Sequence, residues 1–297
     1  GRIMPHEKRD LGSVFAAGPT VPLLKLYYVM FDDLQFKGEP VLPAPLPFPN
    51  PDRLVQIAGS APGTDQPAEF GVPDELYFEY RATVPHIEDA ALYETGSSTS
   101  RADDHVDQLF FTQATPSLFS TLGAVPLHGR LPNDTDDNRV VVLSYWLWKD
   151  WFGSSEQVIN KSYTFAGGAR TIIGVMKPDF RFPDERTAFW MPIVVRPAQV
   201  TPGGFQPSMV ARLKPGVERA SLIAQLEPLA RRVQQRLGGP AQYVKIMDRH
   251  RPIVKPLREQ LVGNAATPLW ILFGTVAIVF LIAWVNVAKL PDLPVRV

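Results

Sequence analysis

ASLIAQLEPLARRVQQRL, residues 220 to 237, is the stretch on which the fold turns. Leu222, Ile223, Leu226, Leu229, Ala230, Val233 and Leu237 recur at spacings of three and four, which places them on one face of an α-helix. Gly238-Gly239-Pro240 stops that helix. The apolar face is too wide for a helix lying on a surface, so a sheet has to cover it. Strands are expected on both sides of it. Residues 209–213 form one, ending in the turn Lys214-Pro215-Gly216, and residues 243–247 form a last one.

Farther upstream the same alternation continues. Residues 54–58 read as a strand after a proline-rich lead-in. Residues 72–82 read as an amphipathic helix, with Val72, Leu76 and Tyr80 on one face and Glu75 and Glu79 pointing elsewhere, to solvent. Strands follow at 87–94 and 107–112, then a short helix, 116–122, closed by Gly123. The continuous apolar run 139–143 is a buried strand. Ser144 is placed to cap the helix 145–152, and Gly153 ends it. Residues 162–165 and 170–176 flank Gly167-Gly168, a hairpin signal, and 189–195 is one more strand. Strands and helices mixed with hairpins give an α+β fold.

Downstream lies LWILFGTVAIVFLIAWVNVA, residues 269–288, without a charge. At about 1.5 Å per residue a helix of this length spans about 30 Å, the hydrocarbon thickness of a bilayer. Its Leu, Ile, Val and Phe residues favour insertion by roughly 4 to 7 kcal/mol before the cost of Asn286. Trp270 and Trp284 lie toward the two ends. A buried core helix would keep a polar stripe, so one transmembrane helix is expected here, followed by a short cytoplasmic tail, 289–297.

Lys+Arg and Asp+Glu are both 30, so the net charge is zero. No basic field points to nucleic acid. The absence of Cys excludes disulfides, thiol catalysis and Cys-ligated metal. Residues 1–45 mix charges, prolines and brief apolar runs. Short helices at 13–17 and 23–31 are the only elements they suggest, and Lys25 interrupts the second run, so no signal peptide is read.

Several phrases in order resemble the MacB-like periplasmic core domain of ABC transporter permeases of the MacB/FtsX type. They are PLPFPNPDRLV (45–55), LFFTQATPSLFSTLGAVPLHGR (109–130), VVVLSYWLWKDWFG (140–153), INKSYTFAGGARTIIGVMKPDFRFP (159–183), FWMPI (189–193), ARLKPGV (211–217), PLREQLVG (256–263) and NVAKL (286–290). The resemblance covers roughly residues 43–290. It implies a two-part extracytoplasmic domain. Residues 46–125 and 200–258 would form a discontinuous porter-like α+β subdomain, and 126–199 an inserted, mostly-β one. A connector, 259–268, would lead to the span. Because the porter-like part is discontinuous, the helix 220–237 should pack on a sheet that also holds residues 54–58. The first transmembrane helix of the family is not found in residues 1–42, and PDLPVRV departs from the family after the span. A fragment or a degraded reading frame of a permease is therefore expected.

The resemblance also implies a non-catalytic subunit in a bacterial inner membrane, with its main domain in the periplasm or outside the cell. The implied partners are a cytoplasmic ABC ATPase subunit, a second permease copy, a periplasmic adaptor and the lipid bilayer, with no cofactor. Within this frame residues 255–263 are the candidate coupling segment. Pro256 and Gly263 bracket it, Leu257 and Leu261 are four apart and can seat on the domain, and Arg258 and Glu259 occupy other faces. Asn286 is a candidate helix–helix contact. A single-span tethered binding module is the alternative, and a membrane-anchored hydrolase a remote one.

Other constellations carry less. No G-x-x-x-x-G-K-[ST] frame is present, so ATP hydrolysis is expected on a separate chain. Asp103, Asp104, His105 and Asp107 form a metal-like cluster but read better as a solvated loop. Ser144 lacks a G-x-S-x-G frame, and capping explains it. Glu75 and Glu79 could serve two-carboxylate chemistry and read better as a solvated face. Trp146, Trp148 and Trp151 read as packing rather than a carbohydrate platform.

Overall fold

The computed structural model describes residues 46–197, 200–262, 274–276, 278–282 and 284. The proline-rich lead-in closes with a single 3-10 turn, Pro51–Arg53. Proline suits a first turn because the N–H it lacks would find no partner there. The chain then runs into β1 (Leu54–Ser60) and α1 (Asp74–Thr83). Next come β2 (Ile87–Ala102), β3 (His105–Ala114) and α2 (Ser117–Leu122). The middle of the chain holds β4 (Pro126–Gly129), β5 (Val140–Leu143), α3 (Tyr145–Phe152), β6 (Ser162–Phe165), β7 (Gly168–Met176) and β8 (Thr187–Pro192). The last described elements before the apolar run are β9 (Ser208–Leu213), α4 (Arg219–Leu237), α5 (Ala241–Asp248), β10 (Arg251–Pro256) and α6 (Leu257–Val262).

These strands join one mixed sheet in the order β10-β1-β9-β2-β3-β8-β5-β7-β4, with β6 pairing β2 and β7. β9 lies antiparallel between β1 and β2, with Gln56 opposite Val210 and Leu92 opposite Met209. Three apolar layers follow. On one face Leu222, Leu226, Leu229, Ala230 and Val233 of α4 meet Val55 and Ile57 of β1, together with α1 and α5. The wide helix face is therefore covered by the sheet that contains residues 54–58. On the opposite face Leu54, Ala91, Tyr93 and Val210 pack on α2, Phe48, Phe180 and Trp190. The third layer sets Leu147, Trp148 and Phe152 of α3 on Val141, Ile172 and Phe189.

Local chemistry shapes these elements as read. Gly123 closes α2 at φ 67° and Gly153 closes α3 at φ 55°, the left-handed conformation that favours glycine. The Ser144 hydroxyl oxygen accepts from Leu147 N at 3.2 Å, which satisfies one of the free donors of the first turn of α3. Ser144→Ala is expected to lower stability by about 1 kcal/mol, read as a small, parallel shift of the urea unfolding curve.

Several expectations need correction. Residues 243–247 are not a strand but part of α5. Tyr243, Ile246 and Met247 are buried at helical spacing after Pro240, and a short apolar run does not separate the two periods. The last strand is β10, whose Pro252 and Pro256 obscured it; an edge position tolerates proline. Glu75 and Glu79 are not solvated, being 3% and 6% exposed. Leu237 is 42% exposed, one turn beyond Val233, where the core under α4 ends. β2 runs on through polar residues 95–102, because β3 pairs with it as far as Ala102 opposite His105. The β6–β7 turn is Ala166-Gly167, one residue earlier than expected, with Phe165 opposite Gly168. The strand expected at 189–195 is β8, shifted toward the N-terminus.

Among the described residues no helix is long and apolar enough to cross a membrane. The run 269–288 lies largely outside them. Its described residues are helical, and Ile278, Val279, Phe280, Leu281, Ile282 and Trp284 are all more than half exposed. The short helices expected at 13–17 and 23–31 also lie outside the described residues.

Candidate coupling site

The incoming and outgoing segments of the domain meet at one edge of the sheet. β1 and β10 are antiparallel, with Val55 opposite Pro256 and Ser60 opposite Arg251. The residue that follows Pro256 therefore arrives beside Leu54, where the chain came in. There α6 begins. Leu257 is fully buried in the same cluster as Phe48, Leu54 and Val210, and Leu261 packs against that cluster's rim. Glu259 is exposed and Arg258 half-buried. Gly263 and Asn286 lie outside the described residues.

Charged side chains fasten both segments. Arg212 of β9 donates from Nε to the Thr121 carbonyl and from Nη1 to the Pro49 carbonyl, each at 2.8 Å. It is 6% exposed and its Nη2 has no partner. Burial, and then Arg53 nearby, lowers its pKa from the usual arginine value. One guanidinium thus ties the incoming segment to the end of α2. Arg53 donates from Nε to the Leu213 carbonyl at 2.7 Å and pairs with Glu88. At the outgoing side Lys255 is paired with Glu69. Sequence reading passed over Arg53 and Arg212. The signal for Arg212 was its alternation with Met209, Ala211 and Leu213 in a strand between two others, which puts a charge on a buried face.

The opposite end of β10 carries His250, which is 5% exposed, with both ring nitrogens unpartnered. Its ring meets Phe70 edge-on at 6.0 Å. Burial lowers its pKa from 6.5 to about 4.

The remaining candidates scatter. Asp103 and Asp104 form the tip of the β2–β3 hairpin, with Asp103 at φ 47°, and His105 stacks on Trp151 at 5.4 Å. Among the described residues no group of three His, Cys, Asp or Glu could hold a metal ion. Glu79 pairs with Arg236 at 2.8 Å. Glu75 accepts from Gly203 N at 3.4 Å, and burial raises its pKa. The two carboxylates thus serve contacts with the loop before β9 and with α4. Ser144 is occupied with its cap. Trp148 is core, its Nε1 donating to the Ser155 carbonyl at 2.9 Å.

Residues 44–229 match the MacB-like periplasmic core domain. Two solved structures share the fold. A domain of a candidate permease from Porphyromonas gingivalis has a TM-score of 0.52 at 21% identity, over 70% of this chain and 92% of that one. The periplasmic region of MacB from Actinobacillus actinomycetemcomitans has a TM-score of 0.50 at 16% identity, over 71% of this chain and 93% of that one. Comparison with curated proteins finds no match.

Proposed function

The chain belongs to the family of MacB-like periplasmic core domains, and on that footing we propose that it is the outer part of an ABC-type permease, relaying motion rather than catalysing a reaction. The observation that carries this reading is the meeting of the incoming and outgoing segments at β1 and β10. A domain whose two ends leave side by side can hang from neighbouring membrane helices and be moved by them. The buried Leu257 and the rim residue Leu261 give α6 a firm seat, so displacement of the span would tilt the sheet instead of bending a loop. Pro256, Leu257, Arg258, Glu259, Leu261 and Gly263 make up this coupling segment.

The run 269–288 crosses the bilayer in this proposal, with Asn286 near its inner end and Lys289 and Arg296 in the cytoplasm, as the positive-inside rule favours. The exposed apolar side chains of its described residues support a lipid-facing helix. The ATPase is a separate cytoplasmic chain, and export or extraction of a substrate from the periplasmic side is the work done. Residues 46–125 with 200–258 act as the porter-like part, and 126–199 as the inserted part. The position of β9 between β1 and β2 supports the discontinuous assignment.

The test is a three-glycine insertion after Leu261 in a complete permease that carries this domain, assayed with its ATPase. Transport is expected to be lost while ATP hydrolysis continues. Transport that survives unchanged would make the segment a passive tether and leave a tethered binding module as the better reading.

A further inference from the structure

A cleft of about 370 Å³ lies where the first turn of α3 faces the loop between β7 and β8. The coupling role leaves it unused. Its size falls at the small end of the range for ligand sites, about 300 to 1,000 Å³. Tyr145, Trp146 and Phe180 supply its apolar wall. Trp146 is held in place, because its Nε1–H donates to the Thr187 carbonyl at 3.2 Å. With that polar atom satisfied, the indole is still 36% exposed. A partly exposed indole whose N–H is already satisfied leaves apolar ring surface on the cleft wall.

The rim decides what could stack there. Arg181 pairs with Glu185 at 2.7 Å, and Arg186 with Asp184 at 3.0 Å. Arg181, Asp184 and Glu185 line the cleft, while Arg186 lies beside it, over the Phe110 ring. Each lining carboxylate is thus offset by a guanidinium, and no unpaired charge is left to attract an ion. The rim does offer many hydrogen-bond groups, carboxylate oxygens that accept and guanidinium N–H groups that donate. An apolar wall with a neutral rim of mixed donors and acceptors complements a molecule that has one C–H face and an edge of hydroxyls.

The geometry points to a binding site for a neutral saccharide, one pyranose ring stacking on Trp146 with its hydroxyls on Arg181, Asp184 and Glu185. The site does not depend on the coupling role. It stands on the inserted stretch 126–199, away from β1 and β10.

The experiment is saturation-transfer NMR on the full chain in lipid nanodiscs, which avoid the sugar headgroups of maltoside detergents. Cellobiose, maltose and N,N′-diacetylchitobiose are the probes, each at millimolar concentration. At least one is expected to show transfer to its ring protons. Trp146→Ala should weaken that binding about tenfold, equivalent to ~1.4 kcal/mol. If Trp146→Ala shifts the unfolding curve, the paired change Arg181→Ala with Glu185→Ala replaces it. Those side chains are 57% and 78% exposed, so the fold is retained, and binding should again weaken. No transfer from any of the three would overturn the proposal. So would transfer that is unchanged in these variants. Trp146-dependent binding of benzyltrimethylammonium in place of the sugars would reassign the cleft to organic cations and overturn it as well.

Discussion

Leu226→Ala is expected to lower the stability of the domain by about 2 to 5 kcal/mol, the range for truncating a fully buried leucine. Leu226 is 0% exposed and sits in the cluster that joins α4 to β1, α1 and α5. Truncation removes the burial of its side chain and leaves a cavity between a helix and a sheet strand from the opposite end of the domain. Neither wall can close the gap alone, because α4 is also held by Leu222, Leu229 and Val233. Urea unfolding followed by tryptophan fluorescence reads the effect as a lowered midpoint with an unchanged slope. A loss below about 1 kcal/mol would mean that the helix is not seated as described.

Acidification is expected to destabilise the protein through His250 by about 3 kcal/mol. The folded state holds the imidazole neutral, with a pKa lowered from 6.5 to about 4 by burial. The unfolded chain takes up a proton as the pH falls through 6.5, and the folded state does so only near 4. The stability from this group is thus fully present above pH 6.5 and is lost progressively between pH 6.5 and 4. His250→Leu removes the titration, and the unpartnered ring nitrogens mean that it breaks no hydrogen bond. The unfolding free energy of the wild-type protein relative to that of the variant should therefore fall by about 3 kcal/mol as the pH falls from 7 to 4. Carboxylates that titrate in the same window are common to both and cancel. A difference that stays constant across this range would contradict the neutral, buried state of His250.

The candidate site was partly legible in advance. Leu257 and Leu261 show their shared face through a spacing of four, and their contacts lie on one cluster. The proximity of that face to residues 46–54 was not legible, since nothing local in either segment specifies the other. The same holds for Arg212, whose partners Thr121 and Pro49 belong to segments remote in sequence. Glu75 and Glu79 were misjudged for a related reason. A carboxylate on a helix reads as solvated until another segment covers it, and here Arg236 and the loop at Gly203 do so.

What the sequence determined by itself is local. It includes the capped start of α3 at Ser144, the glycine ends of α2 and α3, the β6–β7 hairpin and the apolar face of α4. Each of these rests on interactions within a few residues, such as a cap, a left-handed glycine or a periodic face. Only the tertiary structure decided that β9 separates β1 from β2, that β3 runs parallel to β8 and that residues 241–248 are helix. Strand partners are chosen by the fit of surfaces far apart along the chain. The helical state of Tyr243, Ile246 and Met247 likewise depends on the core they enter, because burial between packed elements outweighs the weak preference of a short segment.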